Sequence, residues 1–301
     1  MANLRFLRDF KFEYGVLESI SPLVRRIIAR NPGPFTGPGT ATYVVGRGQV
    51  ALIDPGPAIS SHVEAVLRAL SGETISHLLI THAHADHWPA AMAIQDACGT
   101  ATYGFGLRRS KPGTSAPGGG EERLDHGFVP DRALRDGDVI GGPDWQLAAV
   151  HTPGHTSDHL CFALTEERVL FSGDHVMGWS TSVIIPPDGD MRAYTSSLQK
   201  LLERDDAIYL PAHGPAITDP KPHVRAFLEH RRERRAAILE RLGSGDRTIP
   251  EIVEAVYAGL PAVLRGAAAY SVLAHLIELV GSGEVECDGQ PAMDRDYRLR
   301  K

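Results

Sequence analysis

The stretch THAHADHWPA, residues 81–90, places three histidines and an aspartate within six positions. It follows ISHLLIT (75–81), a compact β-rich run, and leads into WPAAMAIQDACG (88–99), Ala-rich with a proline suited to a first helical turn. His82, His84, Asp86 and His87 therefore fall where a strand ends and a helix begins, the edge at which α/β proteins place their chemistry. A lone HxH is ordinarily a solvated loop or a satisfied core histidine, so the rest of the chain has to decide its meaning.

Three later stretches repeat the same local form, a β-run ending in His or Asp beside glycine: HTPGHTSDH (151–159) with His155, FSGDH (171–175) with Asp174, and LPAHGP (210–215) with His213. Glycine permits the tight turn that keeps each side chain clear of its own backbone. The candidates are then His82, His84, Asp86, His87, His155, Asp174 and His213. Five imidazoles and two carboxylates exceed one tetrahedral ion but suit two divalent ions sharing a carboxylate and a water. The donors are nitrogen and oxygen only, a set that favours zinc, with manganese or iron as alternatives.

Between these turns, TATYVVGRGQVALID (40–54) reads as two strands around a Gly-containing turn, the second half-buried and ending at Asp54. SSHVEAVLRALSG (60–72) has helical spacing with a serine start and a glycine stop. DWQLAAVHTPGH (144–155), HLCFAL (159–164), RVLFSGD (168–174) and AIYLPAHG (207–214) read as strands, and residues 193–204 as a helix. Residues 104–130, rich in Gly and Pro, read as a mobile excursion whose Arg108, Arg109, Lys111 and Arg123 can steer an anionic substrate.

A chain of 301 residues with 43% hydrophobic and 23% charged residues suits one large or two unequal domains with a true core. Apolar runs such as VVGRGQVALI stop well short of a membrane span, and the first residues lack a leader pattern, so a cytoplasmic protein is expected. A net charge of −6 argues against whole-surface attraction to nucleic acid. Cys98, Cys161 and Cys287 form neither a disulfide framework nor a metal clip.

From Pro220 the texture changes to HVRAFLEHRRERRAAILERL, IPEIVEAVYAGL and AAAYSVLAHLIELVGSG, then the short strands EVECDG and DYRLR. Three helices and a hairpin are the order of a winged-helix module. The domain boundary is placed at residue 221, giving a catalytic domain 1–220 and a tail 221–301. The tail holds 13 Lys/Arg against 12 Asp/Glu, and its third helix is nearly uncharged, poor equipment for phosphate contacts. The tail is expected to pack on the catalytic domain, or on a second copy in a homodimer, shaping the pocket mouth.

THAHADH, HTPGHTSDH, FSGDH and PAHGP together resemble the signature set of the metallo-β-lactamase-fold hydrolases, over about residues 15–220. NPGPFTGPGTATY, GDHVMGWSTSVI and the helical tail resemble the branch with a C-terminal winged helix, which includes a mitochondrial endoribonuclease and fungal polyketide thioesterases. The resemblance implies an α/β fold, an αββα sandwich of two mixed sheets with metals at one edge. It implies that His82, His84 and His155 hold one ion, Asp86, His87 and His213 the other, that Asp174 bridges, and that Asp54 supports the site from behind. Ala41 stands where the ribonuclease-like member has Asn, and His175 where it has Cys.

The expected chemistry is hydrolysis by a metal-bridged hydroxide, with Asp86 both binding metal and orienting the nucleophile. No GxSxG marks a serine nucleophile. His159 and His175 are the free histidines nearest the ligands; either can protonate a leaving group or fix a ligand by hydrogen bonding, and the second role is preferred. The favoured function is hydrolysis of a small ester, thioester or lactone. The alternatives are an endoribonuclease acting on single-stranded RNA and a metal-bearing winged-helix binding protein without turnover.

Overall fold

The computed structural model describes residues 4, 6, 7, 10–106 and 128–300. Strands β1 (Glu18–Ser19), β2 (Val24–Ile28), β3 (Ala41–Val45), β4 (Gln49–Ile53), β5 (Thr74–Leu79), β6 (Thr102–Phe105) and β7 (Arg132–Leu134) lie in that order in one mixed sheet. β1 to β4 run antiparallel, and β4 to β7 run parallel. The switch follows from the connections. Turns and the loop 29–40 join the first four strands, whereas helices α1 (Ser60–Ala69) and α2 (Ala90–Cys98) carry the chain back after β4 and β5. The second sheet holds β8 (Val139–Gly141), β9 (Gln146–His151), β10 (Leu160–Leu164), β11 (Val169–Gly173) and β12 (Ile208–Pro211), with only β11 and β12 parallel.

Period-two alternation assigns each strand's faces. Val24, Ile28, Tyr43, Val45, Ala51 and Ile53 point inward to meet Leu147, Phe162, Phe171 and Leu210 of the other sheet. Their neighbours Ile27, Val44, Val50 and Leu52 point outward onto Val66, Ala91 and Ile94 of α1 and α2. The outer face of the second sheet, including Cys161, Leu170 and Tyr209, is covered by α3 (Met191–Leu202) and by Val224, Phe227 and Leu228 of α4 (Pro220–Ser244). The result is the expected αββα sandwich. The expectation of a half-buried second strand is corrected: β4 is buried on both faces because helices cover one side and the second sheet the other. Residues 107–127, the core of the expected excursion with its four cations, lie outside the described residues.

The distal half of α4 joins α5 (Ile249–Val256), α6 (Ala262–Ser282) and the hairpin β13–β14 (Val285–Cys287, Tyr297–Leu299) around a separate core of Ile238, Leu242, Ile252, Val272, Leu276 and Tyr297. This is the winged-helix order. By length and composition α6 is apolar enough to cross a membrane; Val272, Leu273, Leu276 and Leu279 pack in the tail core and account for that hydropathy. α4 thus belongs to both packing layers, and Ala274 of α6 joins the catalytic side.

Phe162 is 0% exposed between the sheets, whereas Ile277 is 38% exposed on α6. Phe162→Ala should lower unfolding free energy by about 3–5 kcal/mol and Ile277→Ala by about 1 or less, read from urea midpoints at fixed metal concentration.

Candidate metal centre

Each candidate side chain leaves the end of a strand. His82, His84, Asp86 and His87 follow β5, His155 follows β9, Asp174 follows β11 and His213 follows β12. All seven are buried and meet in two groups: His82, His84, His155 and Asp174, and Asp86, His87 and His213. Two glycines make this possible. Gly173 has φ +51°, and a Cβ there would lie 2.5 Å from His159 Nε2. Gly154 has φ +141°, and a Cβ would lie 2.2 Å from the Tyr194 backbone.

Four of the histidines have one ring nitrogen tied from outside. His82 Nδ1 lies 3.0 Å from Thr81 Oγ1, and His87 Nδ1 lies 2.9 Å from Asp54 Oδ2. His155 Nδ1 donates to Val183 O at 2.7 Å, and His213 Nδ1 to Gly39 O at 3.2 Å. A neutral imidazole that donates through Nδ1 presents a bare lone pair at Nε2. Those lone pairs converge: His84 Nδ1 lies 2.9 Å from His82 Nε2 and 3.1 Å from His155 Nε2. A tetrahedral ion at about 2.0–2.1 Å from each nitrogen would hold them about 3.3 Å apart.

In the second group His87 Nε2 and His213 Nε2 each lie 3.2 Å from Asp86 Oδ2. Asp174 reaches both groups, with Oδ1 3.4 Å from His213 Nε2 and Oδ2 3.8 Å from His155 Nε2. Despite this proximity, buried His87 Nε2 and Asp174 Oδ1 have no partner of hydrogen-bond geometry. They aim at a common space rather than at each other. Uncompensated burial of such atoms is costly, and cations between them remove that cost. The residues therefore fit two divalent ions.

The electrostatics agree. Burial, then the neighbouring imidazoles, pushes His82 and His84 well below the ordinary histidine range. Burial opposes ionisation of Asp86 and Asp174 too, but facing His87 and His213 hold both carboxyls below their usual range. Burial likewise disfavours charge on His213, yet Asp174 and Asp86 outweigh it and raise its pKa to about 10. His87 is raised for the same reason by Asp86, Asp54 and Asp174. Ionised carboxylates here require positive charge nearby, which divalent ions supply while displacing the protons.

Asp54 sits behind the centre with φ +49°, accepting from the Thr81 backbone and hydroxyl at 2.8 Å as well as facing His87. Asp86 Oδ2 accepts from Thr40 Oγ1 at 3.1 Å, and Asn31 holds Thr40 through both its hydroxyl and its backbone N–H. Sequence reasoning missed Asn31 and Thr40, although both lie in the quoted NPGPFTGPGTATY. The next residue, Ala41, packs in the core between the sheets.

His159 is 0% exposed. Its Nε2 accepts the Asp174 backbone N–H at 3.2 Å, so its Nδ1 carries the proton and meets Thr152 Oγ1 at 2.9 Å. His175 is equally buried against Tyr194, with both ring nitrogens unpartnered and burial depressing its pKa to about 3. Beside the centre lies a cavity of about 360 Å³ reached by His155 and Asp174. Its walls are chiefly apolar, from Phe35 and Trp179 on the catalytic side to Tyr257, Leu260 and Leu264 on the tail.

The family model of the metallo-β-lactamase superfamily matches residues 34–213, and that of the β-lactamase-associated winged helix domain matches residues 248–294. The chain belongs to the metallo-β-lactamase superfamily. It is a hydrolase of that superfamily carrying the associated winged helix. It is 31% identical over 300 residues to lactamase-like protein adaB of Aspergillus niger, covering 94% of this chain and 88% of that protein. It is 32% identical to a β-lactamase-like protein 2 homolog of Caenorhabditis elegans, covering 90% and 88%. It is 33% identical to the atrochrysone carboxyl ACP thioesterase AgnL7 of Paecilomyces divaricatus, covering 80% and 74%. A β-lactamase domain protein from Burkholderia ambifaria has the same fold, with TM-score 0.80 at 20% identity over 97% of this chain and 96% of that one.

Asp174→Ala should abolish turnover and reduce bound metal to one ion or none per chain by elemental analysis; full activity with a single ion would contradict a two-ion site. Asp54→Asn, which removes the charge facing His87 Nδ1, should weaken metal affinity about 10–100-fold in chelator competition.

Proposed function

We propose that the protein is a thioesterase that uses two divalent ions, zinc in the first instance, to hydrolyse a thioester of a small, largely apolar acyl group. The carrying observation is the apolar cavity that opens on His155 and Asp174. A site built for a small apolar group beside buried metal ligands suits an acyl chain. Relatives described as atrochrysone carboxyl ACP thioesterases, including one from Aspergillus chevalieri at 30% identity, support the same reading. A donor set of imidazole and carboxylate without thiolate supports zinc, with manganese and iron as the alternatives.

Bound divalent ions supply Lewis acidity that polarises the acyl oxygen and acidifies water at neutral pH. On this reading His82, His84 and His155 hold one ion, Asp86, His87 and His213 the other, and Asp174 lies between. Asp86, steadied by Thr40, also orients the attacking water. Water oxygen bonds to the acyl carbon, the C–S bond breaks with its electron pair leaving on sulfur, and the water proton passes to solvent. A thiol of pKa about 8.5 departs readily as thiolate, so no general acid is needed. That requirement matches His159, whose two nitrogens are engaged, and His175, which is enclosed. His159, which accepts the Asp174 backbone N–H, acts as a positioning residue at Asp174.

The geometry of the tail does not favour the ribonuclease reading. The helix in the position of a recognition helix, α6, buries Val272 and Leu276 in the tail core and turns Leu264 and Ala268 to the cavity. Little of it is left to read a groove.

The test is a kinetic screen of metal-loaded protein against thioesters, oxygen esters, lactones, phosphodiesters and single-stranded RNA. The highest kcat/KM is expected on a thioester; preference for RNA with steep salt dependence would overturn the reading. His175→Gln should lower thioester kcat less than about tenfold. A loss of about 10²–10⁴ would make His175 a general acid.

A further inference from the structure

The cavity beside the metal centre contains one feature that an apolar acyl group leaves unexplained. Arg231 of α4 lines it and is only 4% exposed. Its Nη2 donates to the Ser182 carbonyl, its Nε has no partner among the described residues, and its guanidinium lies 5.0 Å from the Tyr194 ring centroid. Among the described residues no carboxylate forms an ion pair with it. The ring contact and one carbonyl compensate a buried cation only in part. The other titratable groups packed around it are His175, His230, His275, Tyr194 and Tyr257; an imidazole is never an anion here, and burial raises both phenols. The acid in the same cavity, Asp174, faces His213 and His155 instead.

Arg231 is also tied to the centre. Ser182, whose carbonyl it binds, donates its hydroxyl to the Asp174 and His175 carbonyls, and the next residue, Val183, accepts from His155. Arg231, His155 and Asp174 line the same cavity. Arginine presents a planar fork matched to a carboxylate, and a buried fork with no counter-ion among the described residues is completed by one.

Resting on the thioesterase reading, we propose that Arg231 binds a carboxylate on the substrate's acyl group, so that the protein prefers thioesters of acyl groups bearing a second, anionic end over neutral acyl groups of equal length. The apolar walls from Phe35, Trp179, Tyr257 and Leu264 hold the body of the acyl group, and the tail that supplies Arg231 sets the specificity.

The experiment compares succinyl, glutaryl and adipyl thioesters with butyryl, pentanoyl and hexanoyl thioesters on one carrier thiol, for metal-loaded wild type, Arg231→Met and Arg231→Lys. At one length or more, wild type should favour the dicarboxylic partner about ten- to hundredfold in kcat/KM, the range expected of a charge-assisted hydrogen bond. Arg231→Met should erase the preference, read as the ratio of kcat/KM between the two acyl series at each length, and Arg231→Lys should retain part of it. Preference for neutral acyl groups at every length, or a preference that survives Arg231→Met, would overturn the proposal. Because Arg231→Met can fail to fold, a crystal structure of the wild-type holoenzyme with a carboxyalkyl thioether supplies an independent reading. Its carboxylate should lie about 3 Å from the guanidinium; a carboxylate seated on the metals instead would count against Arg231. If no thioester is turned over but the carboxylate binds Arg231, the anion site stands and the thioesterase reading falls.

Discussion

Bare lone pairs held face to face in a buried space are the constraint on which the rest of this structure depends. His82, His84 and His155 bring three nitrogens to about a single point, and the hydrogen bonds at Thr81 and Val183 prevent two of those rings from turning away. The second group differs in setting two imidazoles against a carboxylate, Asp86, with Asp54 and Gly39 fixing His87 and His213. Without a cation such an arrangement is repulsive or leaves polar atoms orphaned. With two cations it becomes a rigid, preorganised site. The sandwich supplies the rigidity, since the ligands leave the ends of strands from both sheets whose inner faces share one core.

The candidate site was legible because its side chains are written in local turns. HAHADH needs only a strand end and a short loop to present four donors, and the glycines of TPGH, SGDH and AHG announce the three other turns. The fold class followed from the order of those motifs and from the alternating runs around them. What was illegible depends on contacts across the chain. Asn31 reaches Asp86 only through Thr40, and Arg231 reaches Asp174 only through Ser182. No spacing rule connects positions so far apart. The two-sided burial of β4 was missed for the same kind of reason, because a strand cannot report what covers its far face.

The tail illustrates how a helix with little amphipathic pattern can still organise a protein. α4 carries Phe227 into the catalytic core, Ile238 into the tail core, and Arg231 between them into the cavity. One continuous helix therefore couples the placement of the tail to the shape of the pocket. The winged-helix order is retained, and the start of α6 forms part of the wall of the cavity beside His155 and Asp174.

Anomalous diffraction from crystals of metal-loaded protein locates the ions themselves. Two peaks are expected about 3.5–4 Å apart, one among His82 Nε2, His84 Nδ1 and His155 Nε2, the other among Asp86, His87 Nε2 and His213 Nε2, with Asp174 between them. A lone peak, or ions bound by other side chains while these imidazoles keep only one another as neighbours, would contradict the two-ion site.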